Sequence, residues 1–312
     1  MSQPTLGVSE AEYRRRFTEP EFGLDLAEVV ADRCQLPRPL VRKVEGSNLV
    51  FRADDGPWLK ISPPYWRDAF DAEVHVTEAV VDRLTAPVPG IIESGELEDW
   101  RYLVSTNVPG VQIQSVLAGL GEDDLELIAG DLGQFMGAFH AVAIPGFERE
   151  FGAWSRYLDE RLADARALHS SRRVDPARVE EIAAFLADQA QALSALGPPV
   201  LIHADLTAEH VMLVETDGRW RLSGILDLAD AMIAPAELDL VAPFVELFRG
   251  RRGPQRRLLA ESGVRAVAEP FSQTVMAVAL QHRFVHFDHW FAAEIEAGVT
   301  DVGEIARVVF PD

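Results

Sequence analysis

Two histidines and three aspartates that could do chemistry lie in the stretches LIHADLTAEHVML and GILDLADA. The first stretch contains His203, Asp205 and His210, and the second contains Asp227 and Asp230. Imidazole and carboxylate groups are good zinc ligands, so a metal-dependent hydrolase is one interpretation. The same spacing fits the catalytic loop of a kinase, in which Asp205 faces the acceptor hydroxyl while His210 and Asp227 hold the metal.

The first third of the chain favours phosphoryl transfer, because a hydrolase built on these histidines would leave it without a role. Phosphoryl transfer needs a lid over the phosphates, a lysine that binds them and a glutamate that holds the lysine. The residues expected to supply these parts are Gly46, Ser47 and Asn48 in a hairpin turn, Lys60 on the third strand and Glu73 on the next helix, with Glu78 as the alternative to Glu73.

The elements that must position these residues follow from apolar periodicity and turn residues. A helix is expected over 9–34, strands over about 40–45, 48–53 and 57–62, a helix over 67–84, and two more strands in GIIESGEL and WRYLVSTNV. Beyond Pro109 and Gly110 the pattern is mostly helical, with a hairpin formed by VMLVE and WRLSGILDL. We therefore expect an α+β, bilobal protein: a small β-rich lobe over 1–106, a larger helical lobe over 107–312, and a site where such lobes meet.

The composition narrows the choice of partners. A net charge of −21 disfavours binding to nucleic acid and would attract a cationic small molecule, although a role in solubility alone explains the charge equally well. The chain has no apolar run of about 18 residues and no apolar segment of a secretory signal, so neither a membrane span nor export is expected. A single cysteine, Cys34, is typical of a cytoplasmic protein.

The chain resembles the aminoglycoside phosphotransferase family, the antibiotic kinases that share the protein-kinase fold. HADLTAEHVML is similar to the family's H-G-D-x-x-x-x-N loop, ILDLADA to its I-D-x-x-D stretch, and APAELDL to the G-D-P-x-x-D-L stretch that follows. YLVSTNVPG resembles the hinge and APVPG a turn common in the family. The resemblance covers roughly residues 35–300. It implies a protein-kinase-like fold and ATP or GTP with Mg²⁺ as cofactors. It also implies that backbone groups of Ser105, Thr106, Asn107 and Val108 bind the purine.

Two positions depart from the family pattern. Ala204 replaces a glycine, which is tolerable if its φ is negative. His210 replaces asparagine, as in macrolide kinases of the superfamily, and as a softer ligand it predicts that Mn²⁺ serves at least as well as Mg²⁺. The layout of the late helices is similar to that of hygromycin B kinases. The expected substrate is therefore a hygromycin-like aminoglycoside, the alternatives being a macrolide or other natural product, or a nucleotide-binding pseudokinase.

Several further residues are candidates for binding a cationic substrate or for holding the loop. The substrate candidates are Asp230, Glu237, Glu246, His286 and Asp288. His282, His286 and His289 have the spacing of one helix face, and Phe287 and Trp290 suggest an aromatic wall. We expect His203 to hold the loop and Asp239 to anchor its own helix. The sequence does not predict whether the protein is a monomer or a dimer.

Overall fold

The computed structural model describes residues 7–44, 46–147, 154–265 and 270–311. The chain folds as two compact units. The first consists of Met1–Val81, Val88–Val108 and Leu226–Ala229, and the second of Asp82–Pro87, Pro109–Ile225 and Asp230–Asp312.

The first unit is built on an antiparallel sheet with the strand order β1-β2-β3-β5-β4. The strands are β1 (Leu40–Lys43), β2 (Leu49–Ala53), β3 (Trp58–Ser62), β4 (Ile91–Leu97) and β5 (Trp100–Ser105). Leu49, Phe51 and Ala53 of β2 alternate inward, as period-two patterning requires. The predicted strands are therefore present, with ends within three residues of those expected.

The region expected to be one helix over 9–34 is instead two helices, α1 (Glu10–Arg16) and α2 (Leu24–Arg33). The break is at Gly23, which has a φ of 81° and caps α2. A Cβ at this position would lie 2.4 Å from Leu49 Cδ1, so both the conformation and the close approach require glycine. Cys34 ends α2, and burial together with the nearby Glu93 carboxylate raises the pKa of its thiol to about 11. Helix α3 (Arg67–Val80) follows β3.

The second unit is mainly helical. Its helices are α4 (Glu122–His140), α5 (Trp154–Ala163), α6 (Ala165–Ser171), α7 (Pro176–Asp188), α8 (Ala190–Ser194), α9 (Arg252–Ser262), α10 (Phe271–Gln281), α11 (Phe287–Trp290), α12 (Ala292–Glu296) and α13 (Val302–Val309). Helix α10 is buried along its whole length and forms the centre of this core.

Short strands in the second unit hold the catalytic loop. They are β6 (Val111–Gln112), β7 (Val200–Ile202), β8 (Val211–Thr216), β9 (Arg219–Ile225) and β10 (Met232–Ala234). Strand β7 pairs with β10, and β8 lies between β6 and β9. The hairpin of β8 and β9 was expected, whereas β10 is too short to give a pattern of its own. The α+β class, with a β-rich first part and a helical second part, is confirmed. Within the described ranges, no helix is long and apolar enough to cross a membrane.

Candidate active site

Lys60 in the first unit is held between two carboxylates. Its Nζ lies 2.8 Å from Glu73 Oε2 and 3.0 Å from Asp227 Oδ1. Register with Val50 and Leu103 fixes Lys60 in the middle of the sheet. Burial alone would lower the pKa of Lys60, but the charges of Asp227 and Glu73 outweigh it and raise the pKa above its usual range. Lys60 is therefore a permanent cation.

Helix α3 carries two glutamates, Glu73 and Glu78, that could pair with Lys60. Glu73 faces inward and is buried beside Lys60, whereas Glu78 lies on the exposed side of the helix. The five-residue difference moves a side chain to another part of the helix surface, because a turn takes 3.6 residues.

The predicted lid is the turn between β1 and β2. Gly46 and Ser47 are exposed, and Gly46 has a φ of 70°, which glycine adopts without strain. Asn48 is tied down at the end of the turn, because its Oδ1 accepts a hydrogen bond of 2.8 Å from Ser62 Oγ. The turn thus exposes its backbone groups at Gly46 and Ser47, while its end at Asn48 is fixed.

The predicted hinge lies at the end of β5. Thr106 is fully engaged with Gly90: its N–H donates to Gly90 O and its Oγ1 accepts from Gly90 N, both at 2.8 Å. Asn107 Oδ1 accepts from Trp58 Nε1 at 2.9 Å, and Val108 is buried. Ser105 lies in the sheet opposite Trp58. Because the side chains of Thr106, Asn107 and Val108 are already committed to the protein, recognition of a purine here would use main-chain groups.

Asp227, the predicted metal ligand in the first unit, has an unusual main-chain conformation. Its φ is 58°, an uncommon conformation for a residue other than glycine, and Ala229 N donates to its Oδ1 at 3.2 Å. The carboxylate is about a third exposed, so a bound ion could reach it. Its hard oxygen atoms suit magnesium.

Main-chain N–H groups of the predicted catalytic loop, in the second unit, are bound by the side chain of Asp239. This buried carboxylate accepts hydrogen bonds from His203 N at 3.0 Å, from Ala204 N at 2.7 Å and from His140 Nε2 at 2.9 Å. Burial tends to raise the pKa of Asp239, but the hydrogen bond and charge of His140, with His203, lower it overall. Asp239 therefore anchors the loop, where the sequence suggested that it anchors its own helix.

Ala204 does not meet the condition under which alanine would be tolerable here, since its φ is 64°. A methyl group in the left-handed region costs roughly 1–2 kcal/mol, a cost that the glycine of the H-G-D-x-x-x-x-N pattern would avoid. Hydrogen bonds to both main-chain groups of Ala204 hold the residue in this strained conformation. Ala204 N donates to Asp239, and Ala204 O accepts from His282 Nε2 at 3.1 Å.

Asp205 and His210 face each other across the loop. His210 Nδ1 lies 2.8 Å from Asp205 O and 3.2 Å from Asp205 Oδ2. Its N–H thus donates to Asp205 from Nδ1, which places the acceptor lone pair of a neutral ring on Nε2. His203 is buried and its Nδ1 accepts from Asp205 N at 3.2 Å, the loop-holding role expected of it.

A cavity of about 350 Å³ opens beside Asp205. The residues that line it share one unit and combine acids with aromatic rings. They are Gln114, Asp205, Thr207, Ala208, Glu209, His210, Ala242, Val245, Glu246, His282, Phe284 and Trp290. Glu246 is fixed by a 2.9 Å hydrogen bond from Ala208 N. Desolvation, together with the negative charges of Asp205 and Glu209, raises its pKa.

Of the five substrate candidates, only Glu246 lines this cavity. Asp230 forms an ion pair with Arg283, which also donates to Asp230 O at 3.2 Å. Glu237 is buried at 2% exposure and accepts from Gly197 N at 3.3 Å. His286 stacks edge-on with His289 and Asp288 is exposed, so neither faces the cavity.

The late histidines do not form one helix face. Helix α10 ends at Gln281, and His282 leaves it with a ψ of 141°. His282 Nδ1 accepts from Phe284 N at 3.3 Å, a local hydrogen bond that competes with the helix, and its Nε2 donates to Ala204 O, 78 residues earlier in the chain. Burial lowers the pKa of His282 to about 4, so the ring is neutral. Phe287 is buried in the core, and the aromatic wall is instead Phe284 with Trp290.

Sequence reasoning did not identify Gln114, Glu209 and Phe284 as cavity residues. Glu209 lies within the quoted loop, directly before the candidate His210, so its position carried a signal. Phe284 is 43% exposed, which is unusual for a phenylalanine, but exposure cannot be read from its neighbours in sequence.

The donor groups fit a divalent cation that is shared with phosphate oxygens. In the described part of the chain, no three acidic, histidine or cysteine side chains are grouped closely enough to hold a metal by themselves. Magnesium in phosphoryl-transfer sites is usually bound by one or two protein groups, with phosphate and water supplying the rest. Asp227 offers a carboxylate in the first unit, and His210 offers an imidazole nitrogen in the second.

Comparison with known proteins identifies the fold. Aminoglycoside 2'-phosphotransferase-IIIa with GDP superposes with a TM-score of 0.69 at 16% identity, over 91% of this chain and 98% of that chain. The streptomycin–ATP complex of APH(2")-IIa has a TM-score of 0.61 at 15% identity, over 90% and 97%. The phosphotransferase APH(3'')-Id from Streptomyces rimosus has a TM-score of 0.58 at 17% identity, over 83% and 98%. These matches confirm the predicted protein-kinase-like fold.

The sequence comparison gives the family. A search of curated protein sequences found no match to this chain. The phosphotransferase enzyme family matches residues 41–270, a segment that contains Lys60, Glu73, the catalytic loop and Asp227. Because that segment is well over half of the chain, the protein belongs to the phosphotransferase enzyme family.

Proposed function

We propose that the protein transfers the γ-phosphoryl group of ATP or GTP to a hydroxyl of a small cationic molecule. The observation that carries the proposal is the largely buried Lys60, held 2.8 Å from Glu73 and 3.0 Å from Asp227. A buried lysine between two acids adds little to stability, because desolvation offsets most of the attraction. In a phosphotransferase the same lysine binds the α- and β-phosphates, and the glutamate holds it in place.

In the proposed reaction, Asp205 orients the acceptor hydroxyl. The hydroxyl oxygen forms a bond to the γ-phosphorus, the bond from that phosphorus to the β–γ bridging oxygen breaks, and the hydroxyl proton passes to Asp205. Asp205 keeps its direction because His210 and the Asp239-bound loop hold its main chain. A divalent cation, of which the sequence predicts Asp227 and His210 as ligands, would neutralise charge on the phosphates. Since the transition state is loose, positioning contributes more than early removal of the proton.

An aminoglycoside-type, hygromycin-like antibiotic is the favoured acceptor. The net charge of −21 and the carboxylates of Asp205, Glu209 and Glu246 at one cavity support a substrate with amino groups. The structural neighbours include complexes with kanamycin, streptomycin and gentamicin.

A second acceptor class is a macrolide or other natural product with an amino sugar. The observation that favours it is the aromatic wall of Phe284 and Trp290 in the same cavity. Aromatic rings contribute most when they cover apolar surface, which a polyhydroxylated polycation has little of.

The test is an assay of ADP and GDP release with ATP or GTP, Mg²⁺, and a panel of hygromycin B, other aminoglycosides and macrolides. We expect release that depends on one acceptor class, with the phosphorylated product identified by mass spectrometry. Asp205→Asn should lower kcat by about 100-fold or more while nucleotide still binds. Nucleotide binding without turnover on any acceptor would refute the proposal and support the pseudokinase alternative.

A further inference from the structure

Helix α1 reaches the turn expected to cover the nucleotide phosphates. Tyr13 on this helix is 1% exposed, and its hydroxyl donates a 2.8 Å hydrogen bond to Ser47 O. Ser47 itself is exposed, so the bond joins a surface turn to a buried side chain. Helix α1 lies before residue 41, where the match to the phosphotransferase family begins.

A second contact ties the same helix to the strand that leads into the turn. Arg42 of β1 donates to Phe17 O, at the end of α1, at 3.3 Å, and to Lys43 O at 2.6 Å. Its guanidinium lies over the rings of Phe17 and Phe51, at 5.0 and 5.3 Å. Helix α1 is therefore attached both to the turn and to the strand before it.

The Tyr13 ring is held independently of its hydroxyl. It packs against Phe22, Tyr65 and Trp66, with ring centroids 5.5–5.8 Å apart. Burial, with the nearby Tyr65, raises the pKa of Tyr13, so the hydroxyl remains a donor throughout the neutral range. Removing the oxygen alone should leave the ring in place.

We propose that Tyr13 is a positioning residue for nucleotide binding, acting through the main chain of Ser47. Its hydrogen bond holds the turn of Gly46, Ser47 and Asn48 in one conformation, with Ser62 holding the other end through Asn48. A turn that is already ordered gives up less conformational freedom when its N–H groups bind phosphate. This inference rests on the proposed function, because it takes this turn to be the phosphate lid.

The experiment compares Tyr13→Phe with Tyr65→Phe in the full-length protein. Tyr65 lies in the same aromatic cluster, and its buried hydroxyl has no hydrogen-bond partner among the residues that the structure describes. Tyr13→Phe should raise the KM and Kd for the nucleotide about fivefold, the effect of one lost hydrogen bond. The kcat at saturating nucleotide and the KM for the acceptor should change less than twofold. Tyr65→Phe should change none of these values.

Hydrogen exchange supplies a measurement that does not depend on turnover. In Tyr13→Phe, amides of a peptide covering residues 46–48 should exchange several-fold faster, with no change in Tyr65→Phe. Equal exchange and equal nucleotide Kd in Tyr13→Phe and wild type would overturn the inference. If wild type transfers no phosphate to any acceptor, the proposed function fails. Faster exchange with an unchanged nucleotide Kd would show that Tyr13 orders a turn that does not bind phosphate, which also overturns the inference.

Discussion

Asp239→Asn tests whether one buried carboxylate holds the catalytic loop. Asp239 accepts three hydrogen bonds, of 2.7, 2.9 and 3.0 Å, from Ala204 N, His140 Nε2 and His203 N. An asparagine of the same shape replaces one accepting oxygen with an NH₂ group that faces donors. Oδ2 accepts from His203 N and His140 Nε2, and Oδ1 accepts from Ala204 N. The NH₂ group therefore removes at least one bond, at roughly 1.5–3 kcal/mol, and the other two weaken by about 1 kcal/mol each because the acceptor loses its charge.

The expected loss is therefore about 3–6 kcal/mol of unfolding free energy. A domain has roughly 5–15 kcal/mol in total, so the variant should still fold. With about 2–4 °C per kcal/mol for chains of this size class, the melting temperature should fall by roughly 10 °C. Asp205 follows directly after Ala204, and a displacement of about 1 Å would lower kcat by about 100-fold.

The assays are thermal denaturation and kcat with the identified acceptor. The control is Asp131→Asn. Asp131, like Asp239, accepts a hydrogen bond from a main-chain N–H, that of Leu222, and it accepts another from Arg221, but it lies near the surface. That change should alter stability by about 1 kcal/mol or less.

The pH dependence gives an independent check. Because the folded pKa of Asp239 lies below its unfolded value of about 3.9, its contribution is present above about pH 4 and is lost as the pH falls through the folded pKa. The difference between Asp239→Asn and wild type should therefore shrink only in strong acid. A melting temperature within about 2 °C of wild type at neutral pH would refute the anchoring role.

Three further outcomes are expected. Lys60→Met should abolish turnover and destabilise the fold by about 3 kcal/mol, because it leaves the Glu73 carboxylate buried without its cation. The double variant Lys60→Met with Glu73→Gln should recover most of that stability in denaturant unfolding. His282 has a folded pKa of about 4, below the unfolded value of about 6.5, so protonation favours the unfolded state. Stability should fall by about 3 kcal/mol between about pH 6.5 and 4, and this fall should be reduced in His282→Gln but not in the exposed His289→Gln. Finally, His210→Asn should shift the ratio of kcat with Mn²⁺ to kcat with Mg²⁺ toward Mg²⁺; an unchanged ratio would mean that His210 does not bind the metal.

Local signals were sufficient to predict the sheet of the first unit and its central lysine. Strand β2 alternates buried and part-buried residues, and glycine or proline marks the turns before and after β2 and β3. Lys60 lies in a strand between Leu59 and Ile61, both of which are buried, so its position was visible from its immediate neighbours. The sequence favoured Glu73 over Glu78 as the partner of Lys60, and the burial of Glu73 beside Lys60 supports that choice.

The conformation of the catalytic loop could not be predicted from the loop itself. The positive φ of Ala204 depends on Asp239, 35 residues later, and on His282, 78 residues later. The end of α10 depends on the same long-range bond, since its apolar run continues to Leu280 and no glycine or proline follows to end the helix. The contact between Tyr13 and Ser47 is likewise tertiary, and neither residue type indicates it.

The thiol of Cys34 has a practical consequence for spectroscopy. With a pKa of about 11, roughly one thiol in a few thousand is ionised at about pH 7.5, and the thiolate is the form that reacts with maleimides. The chain has no other cysteine, so the wild-type protein should react only slowly with a thiol label. A cysteine introduced at an exposed position would therefore take up nearly all of a fluorophore, and Cys34 would not need to be replaced first.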